Sequence, residues 1–305
     1  MPHAPARTGG PIPAFANPAS GQGQQAIELI RADPRFVLRD VDAGGVTEAV
    51  RREVEAGARR VLVSGGDGTV AAAAAAACEA DVELAVLPGG TLNHFARDHG
   101  IPTELPEALE LAATGSARPV DLGFVNDRAF LNTSSVGAYV GFVRRRDRLE
   151  RWVPYRLASF LSGLRMMVRL HSFRVQIRVE GEVRSYRTAL VFIGVGERET
   201  RFPTFGGRVE NGEPGLQVIA VEGKAVARLT ALAVAAAARG IAAVSLRPQV
   251  DAFLVDECTI VMPRRMAHLA VDGETLRMPA PFHYRIARGA MRVVLPPPDE
   301  KRASE

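Results

Sequence analysis

The sequence predicts an α/β protein: a mainly parallel sheet covered on both faces by helices, followed by a β-rich part. Three observations carry that expectation. Up to about residue 119, short apolar segments alternate with helical stretches over short connections, the pattern of parallel βαβ units. Beyond it the pattern changes to polar–apolar alternation, clearest in "SFRVQIRVEGEVRSYRTALVFIGVG" (172–196), as in half-buried strands. Third, the glycine-bearing loops "NPASG" (17–21), "SGGDGT" (64–69) and "PGGT" (88–91) each follow an apolar segment. The chain has 305 residues, 47% hydrophobic and 24% charged, enough for two modest domains and a sizeable core.

Taken in order, "PAFANPASG" reads as strand and turn, with a helix from about Gln22 to Ala32. "RFVLRDVDA" is a second apolar segment. "GVTEAVRREVEAGA" (45–58) is an amphipathic helix with Val46, Ala49, Val50 and Val54 on one face and Thr47 near its start. "RRVLVSGGDG" returns to a strand, a helix with seven consecutive alanines from Ala71 follows, and "VELAVLPGGTLNHFARDHG" gives strand, loop and helix. "PVDLGFVNDRAFLNTSSVGAYVGF" reads as short strands with a hairpin at "VNDR". The later segments "GLQVIAVEG", "QVDAFLVDECTIVMP" and "HLAVDGETLRMPAPFHYRIARGAMRVVLP" continue in β fashion, and "PPPDEKRASE" reads as a frayed tail.

The net charge is +4 with a pI near 9.5, and the basic residues are almost all arginine, the lysines being Lys224 and Lys301. No Walker G-x-x-x-x-G-K-[ST] string occurs, and no lysine stands on an early strand as a protein kinase requires. Cys78 and Cys258 are too far apart in sequence to form a disulfide framework, which fits a reducing cytosol. The N-terminus lacks the apolar core of a signal peptide, and the apolar window 225–246, interrupted by Arg228 and Arg239, reads as a helix packed on protein rather than a membrane span.

Glycines let a backbone approach a phosphate, and the N–H groups of a following helix N-terminus then point at the anion. Three such loops at strand carboxyl ends exceed what turns require and point to a nucleotide or phosphate site. Asp67, in the middle of one loop, would repel phosphate by itself. It fits either a Mg²⁺ ion between the two or a cap on its own helix. Asp121 ends the "RPVD" segment, and Asp272 with Glu274 lies in "VDGE", an ordinary hairpin turn when it stands alone.

The ordered set "NPASG", "SGGDGT", "PGGTLNHFARDHGIP", "VDLGFVNDRAFLNTSSVG" and late "VDGE" resembles the diacylglycerol kinase catalytic-domain family of lipid kinases, over about residues 13 to 290. The resemblance implies an N-terminal Rossmann-like α/β domain and a C-terminal antiparallel β-sandwich, with the active site in the cleft between them. It implies a nucleotide domain at 13–122, onto which 280–296 packs back, and a lipid-substrate domain at 123–279. Asn17, Ser20 and Gly21 fall on the first nucleotide loop, and Thr47 matches a threonine near the adenosine. Gly65, Gly66, Asp67, Gly68 and Thr69 would cradle the phosphates of ATP, with Gly89, Gly90, Thr91 and Asn93 as the second phosphate loop. Asp67 and Asp121 would hold Mg²⁺ through waters. Asp272 matches the general base that takes the proton of a lipid hydroxyl, accompanied by Glu274.

Three positions depart from the pattern. His94 stands where many relatives carry an acid after the asparagine, although some lipid-kinase-like branches share this histidine. Ala71–Ala73 stand where relatives often have Asn-Glu, which argues against a NAD kinase. Pro214, in "EPGLQV", replaces the aspartate of a structural-metal motif. The arginine-rich segment 144–174 admits a solvated helix, a peripheral membrane contact or, least, nucleic acid; with a lipid substrate the membrane contact is preferred. The expectation is an ATP- and Mg²⁺-dependent lipid kinase acting on a diacylglycerol- or sphingosine-like hydroxyl, cytoplasmic or peripheral at the inner face of the membrane, with no nucleic-acid partner. The oligomeric state stays open, a homodimer included. A NAD kinase-like or other small-molecule kinase, and a catalytically weak lipid- or nucleotide-binding regulator, remain as alternatives.

Overall fold

The structure, a computed structural model, describes residues 10–41, 45–137, 140, 172–200, 206–209, 212–221 and 250–297. The apolar window 225–246, the arginines of the 144–174 run before Arg174, and the tail beyond 297 lie outside the described residues. The chain divides into two compact units, residues 1–122 with 288–305 and residues 123–287.

The first unit is built as the alternation predicts. β1 (Ile12–Ala16), β2 (Phe36–Leu38), β3 (Arg60–Gly65) and β4 (Glu83–Pro88) form a parallel sheet in the order β2-β1-β3-β4. Residues Arg292 and Val293 of β16 (Phe282–Leu295) add a further parallel pairing to β4. β3 and β4 are buried along their whole length, hence their near-continuous apolar sequences. Helices α1 (Gly23–Ala32), α2 (Gly45–Glu55), α3 (Asp67–Ala80), α4 (His94–Asp98) and α5 (Leu105–Thr114) connect the strands. The sequence reading did not separate α5, whose apolar Leu105, Ala108, Leu109 and Ala112 form its buried stripe.

The plain alanine helix now has a packing reason. Ala73, Ala74 and Ala76 of α3 are fully buried, and α3 packs on α2 as well as on β3 and β4. A helix flanked on two sides needs small side chains to let its neighbours approach. On α2 the buried face is narrower than the periodicity suggests: Ala49 and Val50 are buried, whereas Val46 and Val54 are half-buried. Thr47 joins the two helices, its hydroxyl donating to the Ala72 carbonyl at 2.8 Å.

The second unit is antiparallel. β7 (Thr133–Gly137), β10 (Leu190–Val195), β11 (Leu216–Val221), β12 (Val250–Val255), β14 (Met266–Val271) and β15 (Glu274–Pro279) form one sheet in the order β12-β11-β10-β7-β14-β15. β8 (Phe173–Val179), β9 (Glu182–Thr188), β13 (Glu257–Val261) and the first residues of β16 form another. Between them lies one apolar core that includes Val136, Ile177, Ile193, Leu269 and Phe282, a two-sheet sandwich. Inside this core Ser134 and the fully buried Tyr284 share a hydrogen bond of 2.9 Å. Burial also pushes the Cys258 thiol up to about 12, so it is no nucleophile near neutral pH.

The turns follow their sequences. At the tip of the hairpin between β5 (Ser116–Val125) and β6 (Arg128–Phe130), the "VNDR" position, Asn126 has φ of 51°. Asp272 and Gly273 have φ of 45° and 86°, the double positive φ of a tight two-residue hairpin joining β14 to β15.

Candidate functional site

The first unit's strand order places its glycine loops. From β1 the chain crosses outward to β2, then returns to β3 on the other side of β1. That reversal opens a crevice at the carboxyl ends of β1 and β3, the usual ligand position in open α/β sheets. "NPASG" leaves β1 there, "SGGDGT" leaves β3, and "PGGT" leaves the adjacent β4.

The loops are tied into one platform by their backbones. The Asn17 N–H donates to the Ser64 carbonyl at 3.0 Å, the Gln22 N–H to the Gly89 carbonyl at 3.0 Å, and the Gly89 N–H to the Gly65 carbonyl at 2.9 Å. Asn17 folds its own loop, its Oδ1 accepting the Ala19 N–H at 3.0 Å, while Ser20 Oγ donates to the Asn17 carbonyl at 2.8 Å. The glycines are required first by this packing: a Cβ on Gly90 would lie 2.5 Å from the Gly66 Cα, and one on Gly65 would lie 2.6 Å from the Thr69 Cβ. Gly21 closes the group, with the Gly89 carbonyl 3.7 Å from where its Cβ would be. Asn93, at φ of 49°, braces the β4 loop by accepting the Gly90 N–H at 2.9 Å and donating to the Gly90 carbonyl at 2.8 Å.

Two helices begin at this platform without side-chain caps. The N-cap positions of α1 and α3 are Gln22, whose side chain does not bond the helix, and Gly66, which has no side chain to do so. The first-turn N–H groups of Asp67 and Gly68 in α3 therefore open at the carboxyl end of β3. Thr69 and Val70 turn their own N–H groups back to the Gly66 carbonyl at 2.9 and 3.1 Å. Thr91 is exposed on the neighbouring loop. Ser64, fully buried at the end of β3, has a hydroxyl with no hydrogen-bond partner, a feature no sequence signal separated from ordinary strand serine.

Asp67 does something the sequence did not suggest. It stands in the first turn of α3, yet its carboxylate accepts the N–H groups of His94 at 3.1 Å and Phe95 at 2.9 Å. It caps the next helix, α4, instead of its own, and so links the β3 loop to the β4 loop. The exposed His94 thus sits directly beside Asp67. Asp121, on β5, accepts the Gly289 N–H at 2.8 Å within the same unit.

Asp272 and Glu274 lie in the second unit. The Asp272 carboxylate is held by three backbone donors: Leu131 N–H to Oδ2 at 2.7 Å, and Asn132 and Thr133 N–H to Oδ1 at 2.9 and 3.0 Å. Its own N–H donates to the Thr133 carbonyl at 2.8 Å. The side chain is thereby fixed in direction. These donors are main-chain groups, so residue type could not announce them. Glu274 is more exposed and meets Arg128 at 3.3 Å, an ion pair on the surface that contributes little to stability.

Among the described residues, no three acidic, histidine or cysteine side chains gather as a metal cage. A carboxylate offers about four acceptor positions; Asp67 uses two and Asp121 one on the backbone bonds above. Each carboxylate taken singly fits an ion held by single carboxylates, waters and phosphate oxygens, the usual habit of Mg²⁺. It does not fit an all-protein site. No helix among the described residues is long and apolar enough to cross a membrane.

Residues 11–125 match the family model of the diacylglycerol kinase catalytic domain. The chain is 29% identical over 185 residues to "Diacylglycerol kinase" of Mycobacterium tuberculosis (strain ATCC 25618 / H37Rv), covering 56% of this chain and 60% of that protein. It is 33% identical over 157 residues to "Probable lipid kinase YegS-like" of Pseudomonas syringae pv. syringae (strain B728a), covering 51% of this chain and 50% of that one. The matched stretch thus spans only about half to three fifths of these relatives. A crystal structure of a diacylglycerol kinase from Bacillus anthracis str. Sterne shares the fold with a TM-score of 0.66 at 21% identity, over 95% of this chain and 99% of that one. The glycine platform lies wholly inside the stretch that the family model matches. Over residues 11–125 this chain is thus similar to the diacylglycerol kinase catalytic domain.

Proposed function

We propose that the protein is an ATP-dependent lipid kinase that transfers the γ-phosphate to a hydroxyl of a diacylglycerol- or sphingosine-like acceptor. The observation that carries this reading is the platform itself: three glycine loops fused backbone to backbone at the switch point of a parallel sheet, beside two helix N-termini without caps. Phosphoryl transfer asks little covalent chemistry of a protein and depends on positioning and charge stabilisation. In this reading the first-turn N–H groups of Asp67 and Gly68 receive the phosphates, the loop at Gly89 and Gly90 packs beside them with its own N–H groups bonded to Gly65 and Asn93, and Asn17, Ser20, Gly21 and Thr47 line the nucleotide side. Asp67 and Asp121 hold Mg²⁺ through waters, and bound there the ion would neutralise phosphate charge. Asp67 keeps a second task, since it also fixes α4 and with it the β4 loop.

Asp272 is the general base in this reading. Its three N–H bonds aim the carboxylate in one direction, and an aimed carboxylate suffices where the hydroxyl proton leaves late. Glu274 stands beside it on the hairpin as a charge pairable with Arg128.

The test is incubation of purified protein with labelled ATP, Mg²⁺ and a panel of diacylglycerol, sphingosine, ceramide and NAD, beside Asp272→Asn. Labelled phospholipid from the wild type, lowered about a hundredfold or more by the substitution, is the expected result. Labelled NADP, or tight ATP binding without transfer to any acceptor, would contradict it.

A further inference from the structure

We propose that the outer face of the β8–β9 ladder docks the protein on an anionic lipid surface. β8 and β9 pair antiparallel in a register that sets Arg174 opposite Arg187 and Arg178 opposite Val183. The alternation of strands turns Val175, Ile177 and Val179 into the core and Arg174, Gln176 and Arg178 outward, where all three are exposed. On β9, Val183, Ser185 and Arg187 face the same way and are exposed. This face therefore holds three arginines with no acid among them.

That arrangement costs the fold something. Like charges directly opposite on neighbouring strands repel and destabilise the pair. Among the described residues, the ion pairs of this region go elsewhere, Arg184 meeting Glu182 at 3.4 Å. Arginine on the edge strand β9 could serve to block edge-to-edge pairing, but β8 is an interior strand, flanked by β9 and β13, and carries two of the three. The face continues past β8 through Thr259 and Val261 of β13 to His283 and Arg285 of β16; its acid there is Glu257, opposite Arg285.

Charge complementarity selects the partner. A positive, exposed sheet face matches the negative potential of anionic headgroups, which attract each nearby arginine. Val183, 55% exposed between the arginines, adds an apolar contact suited to the headgroup boundary. A single-stranded nucleic acid would call for aromatic stacking groups between the charges, and the ladder presents none on this face. Arg174 is also the last arginine of the arginine-rich sequence run 144–174.

The test is co-sedimentation of the full chain with phosphatidylcholine vesicles, with and without phosphatidylglycerol, at low and raised salt. The wild type is expected to bind only the phosphatidylglycerol vesicles, more weakly as salt rises. The triple variant Arg174→Gln, Arg178→Gln, Arg187→Gln is expected to lose about fivefold in partitioning per arginine, about a hundredfold in all. The corresponding triple lysine variant should retain binding. Arg187→Gln alone should melt no lower than the wild type, since it relieves the opposed pair. Undiminished binding by the triple glutamine variant, equal binding to neutral vesicles, tighter binding to a single-stranded RNA oligonucleotide than to vesicles, or a lower melting temperature for Arg187→Gln would each overturn the proposal.

Discussion

The two ends of the parallel sheet in the first unit are built on opposite rules. At the amino ends of β3 and β4, charge is buried and fully used. Arg60, 3% exposed, bonds Glu83 through Nε and Nη2 at 2.9 and 2.7 Å, and reaches the carbonyls of Ala112 and Gly115 at 2.9 Å each. It thereby closes the carboxyl end of α5, and Glu83 takes a second partner in Arg292 at 3.1 Å. At the carboxyl ends, glycine loops, two uncapped helix starts and the unpartnered Ser64 hydroxyl collect on one platform. Saturated polar groups hold a fold together, whereas unsatisfied ones held rigidly are ready for a ligand. The same strands thus carry a structural end and an end to which the proposed function assigns phosphate.

That contrast can be broken from either side. The largest stability effect is expected at the amino end. Glu83→Gln leaves the Arg60 charge buried without its counter-ion, a loss of about 3–5 kcal/mol, read as a fall in melting temperature. The ATP dissociation constant of the protein that remains folded should not change. Next comes Gly90→Ala, whose new methyl meets the Gly66 backbone. Overpacking there should cost about 1–3 kcal/mol, read by denaturant unfolding, and here ATP binding should fall as well, because the platform is wedged apart, read by titration calorimetry. Asp67→Asn removes the charge that caps α4 and should cost about 1 kcal/mol by denaturant unfolding. Its effect on phosphate transfer should be far larger than that stability change implies. The smallest stability effect is expected for Thr47→Val, about 1 kcal/mol or less from the lost bond to Ala72.

The sequence made the carboxyl end legible and the amino end nearly invisible. Glycine, aspartate and asparagine clusters after apolar runs are local signals, so the three loops, their place at strand ends and the α/β class could be read from residue order alone. The family resemblance added the antiparallel second half and the roles expected of Asp67, Asp121 and Asp272. What stayed hidden is long-range. Arg60 and Glu83 meet because β3 and β4 pair in register, 23 residues apart, and neither residue is unusual where it stands. Asp67 looks like a cap for its own helix, and only the packing of Gly66 on Gly90 brings it to α4. The three N–H groups that hold Asp272 lie about 140 residues away and carry no side-chain signature. The opposed arginines of β8 and β9 became visible only through strand register, since an alternating strand with arginine at its outer positions reads as an ordinary solvated face.

The central claim is that the carboxyl end of this sheet binds phosphate and the amino end does not. Hydrogen–deuterium exchange of the full chain with and without ATP and Mg²⁺ tests it directly. The expected result is slowed exchange over residues 17–23, 65–70 and 89–95, with the peptides around Arg60, Glu83 and Gly115 unchanged. Slowing centred on the amino-end peptides, or no change at the glycine loops at saturating ATP, would contradict it.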